Sequence, residues 1–491
     1  MRTSHTHPLQ IAAITPQPGF GTIGITFCPG KKQPHAMSGG WDRDLGLDLD
    51  VIADFGAAAV VSLIEPHEMR TLGVEDLGSE VAARHMDWLH LPIPDVSVPD
   101  AGFEAAWRVH GPGLRARLRH GFNILVHCKG GLGRAGTIAA RLLVELGWPA
   151  DEAIAAVRAV RPGAIETPAQ EAHVRQQARV EESAPCQSDA AIRDRAIGAL
   201  LGLAVGDAVG TTLEFKPRGS YPRLTDMIGG GPFGLKPGQW TDDTAMALAL
   251  ADSLYVAAEF DPEDLMRRFV DWRDQGTYSC TETCFDIGIT TNDALNRWQR
   301  SGDPYAGATD PNTAGNGSLM RLAPVAIRFW RDPAALRRVA ALQSRTTHGA
   351  PEAVSACVAY AELLAEAIAG VPAHEVLAPR SGDYAGAIAA IMAGSWRGKA
   401  RREIGSSGYV AHSLEAALWS VARTSDFRSA ILLAANLGGD ADTTAAIAGQ
   451  LAGALYGASG IPQEWLGKLA WRPRIEVKAQ GLIERSGPGA G

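Results

Sequence analysis

The sequence predicts two domains of different class, an α/β domain at the N-terminus and an all-helical domain after it. Strand-like and helix-like segments alternate up to about residue 180, which is the pattern of an α/β domain. Beyond that point strand signals nearly vanish, and alanine-rich helical patterns continue to about residue 475. A chain of 491 residues is also too long for one ordinary domain.

Three strand-like segments define the N-terminal pattern. AAAVVSLI (residues 57–64) is typical of a buried strand, DWLHLPIP (87–94) of a second that ends at prolines, and NILVHC (123–128) of a third. A glycine-rich loop and a helical segment follow the third strand. The segment FEAAWRVHGPGLRARLRH (103–120) is helix-like on both sides of a Gly-Pro-Gly interruption.

The short polar stretch ESAPCQSDA (182–190) predicts the domain boundary because it contains a proline and lacks any apolar period. We therefore expect four segments. They are an α/β domain over 1–183, a linker over 184–190, a helical domain over 191–478 and a disordered tail over 479–491.

Composition limits the classes of function. A net charge of -8 argues against a broad nucleic-acid surface, since binding phosphate backbones takes a basic footprint. Six cysteines in so long a chain are too few for a disulfide scaffold and predict reduced thiols in a cytoplasm. The first residues contain no apolar signal-peptide region, and no uncharged apolar run of about 18 residues occurs, so we expect no membrane span.

Glycines recur every fourth residue in two helical segments. One set is Gly198, Gly202, Gly206 and Gly210, and the other is Gly449, Gly453 and Gly457. Spacing of four places each set on one helix face, which allows another helix to approach closely. Both sets adjoin acidic clusters, so close packing there would bring those clusters together.

The stretch VHCKGGLGRAG (126–136) has the composition of a phosphate-binding loop with a nucleophile. Backbone N–H groups of Lys129, Gly130, Gly131, Leu132 and Gly133 can surround a phosphate, and the next helix adds its positive end. The same field lowers a thiol pKa, so Cys128 can be a thiolate nucleophile, while Arg134 can bind two phosphoryl oxygens. Asp95, with Asp100 behind it, can supply a proton to the leaving oxygen. The alternative is a buried structural cysteine at a strand end.

Residues 20–180 resemble the cysteine-dependent protein phosphatases, especially the dual-specificity type and the kinase-associated phosphatase, through FCPGKK, LPIPD, HCKGGLGRAGT and AIETPAQE. The resemblance implies Cys128 as nucleophile, Arg134 as phosphate ligand and Asp95 as general acid. Family members usually have Ser or Thr where this chain has Ala135, and that hydroxyl helps the thiolate leave in the second step. Lys129 also occurs in lipid-directed relatives, so a non-protein phosphate is a possible substrate.

Three acidic groups stand out in the helical part. WTDDT contains Thr241, Asp242 and Asp243, GGDADTT contains Asp440, Asp442 and Thr443, and GTTLEF contains Glu214. One such group alone is usually an N-cap. Three together, with oxygen ligands only, suit Mg²⁺ or Mn²⁺ rather than zinc. Two aspartate-bearing loops could hold two ions about 3.5–4 Å apart.

Residues 191–475 resemble the ADP-ribosylglycohydrolases of the dinitrogenase-reductase-activating type, through AIGALLGLAVGDAVGTTLEF, WTDDTAMALALADSL, FDIGITT, GNGSLMRLAPVA, THGAPEAV and NLGGDADTTAAIAGQLAGALYG. The resemblance implies an all-helical fold with a dinuclear Mg²⁺ or Mn²⁺ centre, and Glu214 beside the anomeric carbon. The implied metal ligands are Thr241, Asp242, Asp243, Asp440, Asp442 and Thr443. The residues implied to line the ADP-ribose pocket are Asn316, Gly317, Ser318 and Met320, with His348 and Asp286 in matching segments.

The sequence thus predicts a bifunctional cytoplasmic hydrolase. The second domain would remove ADP-ribose from an acceptor on a protein or small molecule, and the first would hydrolyse a phosphomonoester through a phosphocysteine. Two alternatives stay open: the first domain binds phosphate without catalysis and targets the second, or both domains process one phosphorylated ADP-ribose metabolite. Arginine, serine, a nucleic-acid end and a small molecule all stay open as the acceptor.

Overall fold

The computed structural model describes residues 1–36 and 39–486, which divide into one compact unit over Met1–Ser183 and a second from Ala184 onward. The first unit is α/β and the second is helical, as the sequence predicts.

A mixed five-stranded sheet forms the centre of the first unit. The strands of this unit are β1 (Ala12–Ile14), β2 (Ile23–Phe27), β3 (Lys32–Gln33), β4 (Trp41–Asp42), β5 (Ala57–Ser62), β6 (Asp87–His90) and β7 (Asn123–Cys128). The sheet order is β1-β2-β7-β5-β6, with β3 and β4 pairing separately. Within the five-stranded sheet only β1 runs antiparallel to its neighbour, so β2, β7, β5 and β6 direct their carboxyl ends to the same edge.

The helices of the first unit cover the sheet on both faces. They are α1 (Leu45–Asp54), α2 (Pro66–Leu72), α3 (Leu77–Ala83), α4 (Ala101–Arg119), α5 (Gly133–Glu145), α6 (Ala150–Val160) and α7 (Pro168–Arg175). The expected interruption of α4 is wrong, since the helix continues through Pro112. Phe103, Trp107 and Leu114 on one face of α4 are buried in the core, and this packing offsets the proline's helix penalty of about 3 kcal/mol.

The described part of the second unit is built from helices, with no strand longer than an isolated bridge. The helices are α8 (Asp189–Gly210), α9 (Asp242–Val256), α10 (Pro262–Gln275), α11 (Ile289–Ser301), α12 (Ala323–Phe329), α13 (Pro333–Thr347), α14 (Pro351–Ala369), α15 (Ala373–Val376), α16 (Ala387–Met392), α17 (Val410–Arg423), α18 (Phe427–Ala435), α19 (Ala441–Tyr456), α20 (Gln463–Lys468) and α21 (Arg472–Glu484).

Helices α8 and α19 cross in backbone contact, which confirms the interpretation of the glycine spacing. A Cβ on Gly206 would lie 2.6 Å from the carbonyl carbon of Ala445, and one on Gly453 would lie 2.5 Å from that of Gly198. The contact places Asp207, near the end of α8, beside Asp442, at the start of α19. The acidic clusters therefore meet because two helices lack side chains where they touch.

Helix α8 and the turn after it (Asp189–Leu213) are long and apolar enough to cross a membrane by length and composition, but 94% of the apolar window is buried within the protein. A buried helix at the centre of a globular unit has the same length and apolar composition.

Two expected boundaries differ from the structure. The predicted linker extends to residue 190, but α8 already begins at Asp189, where the Ser188 side chain accepts a hydrogen bond from the Ala191 N–H. The predicted disordered tail starts at 479, but α21 continues to Glu484. Ala479 and Leu482 are buried, and this packing orders the last turns. Residues 487–491 of the expected tail lie outside the described residues.

Candidate active sites

The glycine-rich loop of the first unit connects β7 directly to α5. Cys128 is the last residue of β7 and is buried, and the Gly131 N–H donates a hydrogen bond to its Sγ at 3.2 Å. Gly131 has a φ of +71°, and a Cβ there would lie 2.5 Å from the backbone of Phe27, so only glycine fits against β2. Leu132 is the N-cap of α5, which begins at Gly133 and whose N-terminus carries partial positive charge toward the loop.

The carbonyl groups of this loop are held by two cations. Lys31 Nζ donates to the Lys129 carbonyl at 3.4 Å, and Arg161 donates to the carbonyls of Gly131 at 3.0 Å and Gly130 at 3.2 Å. With these carbonyl groups bound, the loop's N–H groups other than that of Gly131 can turn toward an anion. Neither Lys31 nor Arg161 was predicted, since nothing near them in the sequence marks them as loop supports.

Arg134 lies in the first turn of α5 and is fixed by a buried carboxylate. Its guanidinium donates to both oxygens of Glu68, at 2.7 and 3.0 Å, and to the Ile93 carbonyl at 2.9 Å. Burial would raise the pKa of Glu68, but the hydrogen bonds from Arg134 and from the Glu65 N–H hold that pKa below its usual value. Sequence reasoning missed Glu68, because one glutamate on an amphipathic helix carries no signal.

Asp95 lies at the same site. Its Oδ1 is 2.9 Å from Arg134 Nη2, and its side chain is 56% exposed, so a substrate oxygen can reach it. Asp100 instead caps α4, accepting a hydrogen bond from the Phe103 N–H at 2.8 Å. The structure therefore brings Cys128, Arg134 and Asp95 together and assigns Asp100 to a helix end.

The first carboxylate cluster of the second unit joins α8, α9 and α19. Oxygen atoms of Asp207, Asp243 and Asp442 lie within 4.8 Å of one another. Thr241 Oγ1 lies 3.3 Å from both Asp243 Oδ2 and Asp442 Oδ2, and it donates to Asp207 Oδ1 at 2.9 Å. Asp207 was not predicted as a site residue. The available signal was a single aspartate within an otherwise apolar glycine-spaced helix.

The second cluster consists of Glu214, Asp440 and Asp442, whose ligand atoms also lie within 4.8 Å of one another. Glu214 Oε2 accepts hydrogen bonds from the N–H groups of Ala441 at 2.7 Å and Asp442 at 3.3 Å. Thr443 Oγ1 lies 3.4 Å from Asp243 Oδ2 and links the two clusters. The two clusters share Asp442, so the whole set forms one continuous acidic centre.

Burial and mutual repulsion raise the pKa values of this centre. Burial is the larger cause at each group and the neighbouring aspartates add to it. The pKa is about 7 for Asp207 and Asp440, about 9 for Asp286 and about 12 for Glu214, and it lies well above the usual value for Asp242 and Asp243. Asp243 Oδ1 is buried without a hydrogen-bond partner. Oxygen donors that repel one another, one of them without a protein partner, fit hard divalent cations.

A cavity of about 560 Å³ opens onto this centre. Most of the predicted pocket residues line it, namely Glu214, Asp242, Asp286, Asn316, Gly317, Met320, His348, Asp440, Asp442 and Thr443. Thr241 and Asp243 are buried. Phe215, Ile289, the loop over residues 406–408 and Gly439 also line the cavity and were not predicted, because neither apolar nor Ser-Gly segments mark a site in the sequence.

Within the GNGSLMR segment, the structure corrects the prediction that Ser318 lines the pocket. Its side chain is fully buried away from the cavity, with its hydroxyl 2.8 Å from that of Ser344. Asn316 does line the cavity, and its amide donates to Asp440 Oδ2 at 2.7 Å and to Ser413 Oγ at 2.8 Å. Asn316 therefore orients a carboxylate of the acidic centre, while Ser318 supports the loop from inside.

His348 packs against the same loop as a neutral ring. Burial, and secondarily the charge of Arg321, lowers its pKa to about 3, and its Nδ1 lies 2.9 Å from Thr347 Oγ1. A Cβ on Gly317 would lie 2.7 Å from His348 Cε1, so the imidazole fixes the position of the loop.

Comparison with known families identifies both units. Residues 188–490 match the family model for ADP-ribosylglycohydrolase, and the chain belongs to this family. Residues 33–174 match the model described as Swiss Army Knife protein, DSP-PTPase phosphatase domain. Both family resemblances predicted from the motifs are confirmed, and the chain is a hydrolase with a phosphatase domain at its N-terminus.

Individual relatives match the second unit. The ADP-ribosylarginine hydrolase Tri1 of Pseudomonas putida (strain GB-1) is 50% identical over 293 residues, covering 60% of this chain and 79% of that protein. The ADP-ribosyl-[dinitrogen reductase] glycohydrolase of Rhodospirillum rubrum is 34% identical, covering 59% and 95%. A solved structure titled ADP-ribosylglycohydrolase-related protein complex aligns with a TM-score of 0.54 at 43% identity, covering 60% of this chain and 99% of that one.

Proposed function

We propose that the second unit hydrolyses the bond between ADP-ribose and an arginine side chain of a modified protein. The observation that carries this proposal is the continuous acidic centre at the wall of a 560 Å³ cavity. The arginine acceptor is supported by similarity to an ADP-ribosylarginine hydrolase at 50% identity. Cleavage at the anomeric carbon passes through an oxocarbenium-like state, whose positive charge the wall of carboxylates would stabilise.

We propose further that two Mg²⁺ or Mn²⁺ ions complete the centre. The residues that would hold them are Thr241, Asp242, Asp243, Asp440, Asp442 and Thr443. When bound, such ions would supply Lewis acidity to the reaction. Asn316 keeps Asp440 oriented by its amide hydrogen bond. Glu214 lies at the cavity wall and would act as a gate for the attacking water, or as its general base when its carboxyl is ionised. The water's oxygen would bond to the anomeric carbon as the bond to the arginine nitrogen breaks, and the water's proton would pass to the departing guanidine nitrogen.

The release of ADP-ribose, followed by liquid chromatography with mass detection, tests this function. Arginine-, serine- and phosphate-linked substrates would be supplied with Mg²⁺ or Mn²⁺. We expect release from the arginine linkage, its loss on chelation, and its loss in Asp440→Ala. The exposed Asp383→Ala in the same unit is the matched control and should behave as wild type. No release from any linkage by folded, metal-supplied protein would reject the proposal.

For the first unit, we propose phosphomonoester hydrolysis through a phosphocysteine. The Cys128 thiolate would attack phosphorus while Asp95 protonates the departing oxygen. Water would then attack phosphorus and release the thiolate, giving its proton to Asp95. Arg134, held by Glu68, would bind the phosphoryl oxygens. The placement of Asp95 and Arg134 at one site supports this reading.

A second candidate for this unit is a phosphate-binding module that directs the hydrolase to phosphorylated targets. Ala135 favours it, because the hydroxyl that usually follows the arginine is missing from this buried position. A phosphatase assay on the full chain separates the two candidates. Turnover that is abolished in Cys128→Ser would exclude a purely binding role. Phosphate binding without turnover in wild type, with turnover restored in Ala135→Ser, would favour it.

The two units could also act on one phosphorylated ADP-ribosyl substrate, as their union in one chain suggests. Wild-type protein would then outperform an equimolar mixture of full-length Cys128→Ser and Asp440→Ala on a doubly modified substrate. Equal rates would remove support for coupling.

We also propose a cytoplasmic location, since all six cysteines are free thiols. Cell fractionation tests this location.

A further inference from the structure

Phe215 is a large, exposed apolar side chain in the lining of an acidic cavity. It directly follows Glu214 in the chain, lines the same cavity and is 64% exposed. Exposing an aromatic ring of this size leaves unused apolar area that contact with a ligand would cover. Its position next to Glu214 places it on the cavity wall near the proposed reacting bond.

The backbone holds this ring in place despite a conformational cost. Phe215 has a φ of +60°, and its N–H donates to the Gly439 carbonyl at 2.8 Å. Such a left-handed conformation costs a bulky residue roughly 1–3 kcal/mol and tends to occur at functional sites. Asp286, which also lines the cavity, has a φ of +59°. Strain is thus present at two positions of one cavity wall.

Neighbouring rings fix the direction of Phe215 without burying it. The Phe215 and Phe233 rings lie 6.3 Å apart at 74°, and Phe233 lies 5.1 Å from Phe285. This row of aromatic side chains supports Phe215 and leaves most of its ring accessible.

The described lining of the cavity supplies no cationic side chain to this ring, so a cation of the ligand can occupy its face. Among the described residues that line it, four aspartates and Glu214 are acidic, and there is no lysine or arginine. His348, also in the lining, is neutral because burial lowers its pKa to about 3. A guanidinium is planar, weakly hydrated and always charged, and it stacks on aromatic faces.

We propose that Phe215 determines acceptor specificity by stacking on the guanidinium of the ADP-ribosylated arginine. This inference rests on the proposed glycohydrolase function and assigns the recognition of the acceptor to a residue outside the acidic centre. The ring would hold the arginine side of the bond while the carboxylates face the ribose. A neutral acceptor, such as the serine oxygen, would gain nothing from the ring's negative face.

Three substitutions separate ring chemistry from shape. Phe215→Trp keeps an aromatic face, Phe215→Leu keeps apolar volume, and Phe215→Ala removes both. For the arginine-linked substrate, we expect kcat/KM to fall roughly 3- to 30-fold in the Leu and Ala variants, mainly through KM, and to be retained in the Trp variant. For a serine-linked substrate, and for inhibition by free ADP-ribose, we expect little change in any variant.

The outcomes distinguish the two levels of inference. Wild-type protein that releases ADP-ribose from another linkage but not from arginine would reject the proposed acceptor itself. Wild-type activity on arginine with Phe215→Leu equal to Phe215→Trp would overturn the role of the ring alone. Weaker inhibition by free ADP-ribose in Phe215→Ala would also overturn it, because the ring would then contact the adenine or ribose. Equal melting temperatures of the variants would exclude misfolding as the cause.

Discussion

The backbone contact between α8 and α19 makes a sharp prediction for Gly206→Ala. A Cβ on Gly206 would lie 2.6 Å from the Ala445 carbonyl carbon, 2.9 Å from the Ala446 Cα, and closer still to the Ala445 oxygen. All three are backbone atoms of a buried helix, so no side-chain rotation can make room. The two helices must therefore move apart.

The size of the effect follows from these distances. Carbon atoms in contact normally lie about 3.5–4.0 Å apart, so α8 and α19 must separate by about 1 Å. Forcing extra volume into a packed core costs typically about 1–3 kcal/mol, and the contact here is with backbone, so the upper part of this range applies. Alanine returns up to about 1 kcal/mol of helix propensity. We expect a net loss of about 2 kcal/mol.

The same movement should weaken the acidic centre. Asp207 follows Gly206 on α8, and Asp442 lies in the first turn of α19, with ligand atoms within 4.8 Å of each other. Separating the helices pulls these oxygens apart. Gly206→Ala should therefore bind Mn²⁺ more weakly as well as unfold earlier.

Differential scanning calorimetry of the full chain measures both effects. The transition of the second unit is the one that Mn²⁺ shifts upward, and Gly206→Ala should lower it by roughly 4 °C or more. Gly467→Ala is the matched control, since Gly467 lies within α20 with open space around its Cα and should become slightly more stable. Gly206→Ala with wild-type stability and Mn²⁺ response would refute the backbone contact.

Three further predictions concern charge, metal and strain. Burial would raise the pKa of Glu68, but the hydrogen bonds from Arg134 lower it overall, so the ion pair stabilises the fold above pH 4.5 and loses that effect as the pH falls further. In urea unfolding, Glu68→Gln should therefore be less stable than wild type at pH 7. The variant should also lose less stability than wild type as the pH falls below 4.5. Adding Mn²⁺ at about 100 times its Kd should stabilise the second unit by about 2.7 kcal/mol in thermal melts, and Asp442→Ala should abolish the shift. Phe215→Gly should relieve strain of roughly 1–3 kcal/mol at a backbone-entropy cost of about 0.5–1 kcal/mol, so the melting temperature should rise. Its kcat/KM on the arginine linkage should fall because the ring is lost.

Local patterns predicted much of this molecule because they report helix faces and loop chemistry. The four-residue glycine spacing identified the contact of α8 with α19, and the glycine loop with Cys128 and Arg134 forms one site. Glu68 escaped prediction because it reaches Arg134 from 66 residues away, and such pairing depends on sheet order. Ser318 was placed wrongly because a segment that lines a cavity also needs residues that face the interior.

The two sites also show why the N-terminus of a helix can adjoin a site for an anion in one place and for a cation in another. At the start of α5 the N–H groups adjoin an open glycine loop whose carbonyls are held by Lys31 and Arg161, so the helix end can attract an anion. At the starts of α9 and α19 the N–H groups are already occupied, by Asp207 and Glu214 respectively. The remaining carboxylates then face and repel one another, so a site built from them suits a cation. What occupies the helix N–H groups, rather than the helix end itself, therefore decides which ion each site can hold.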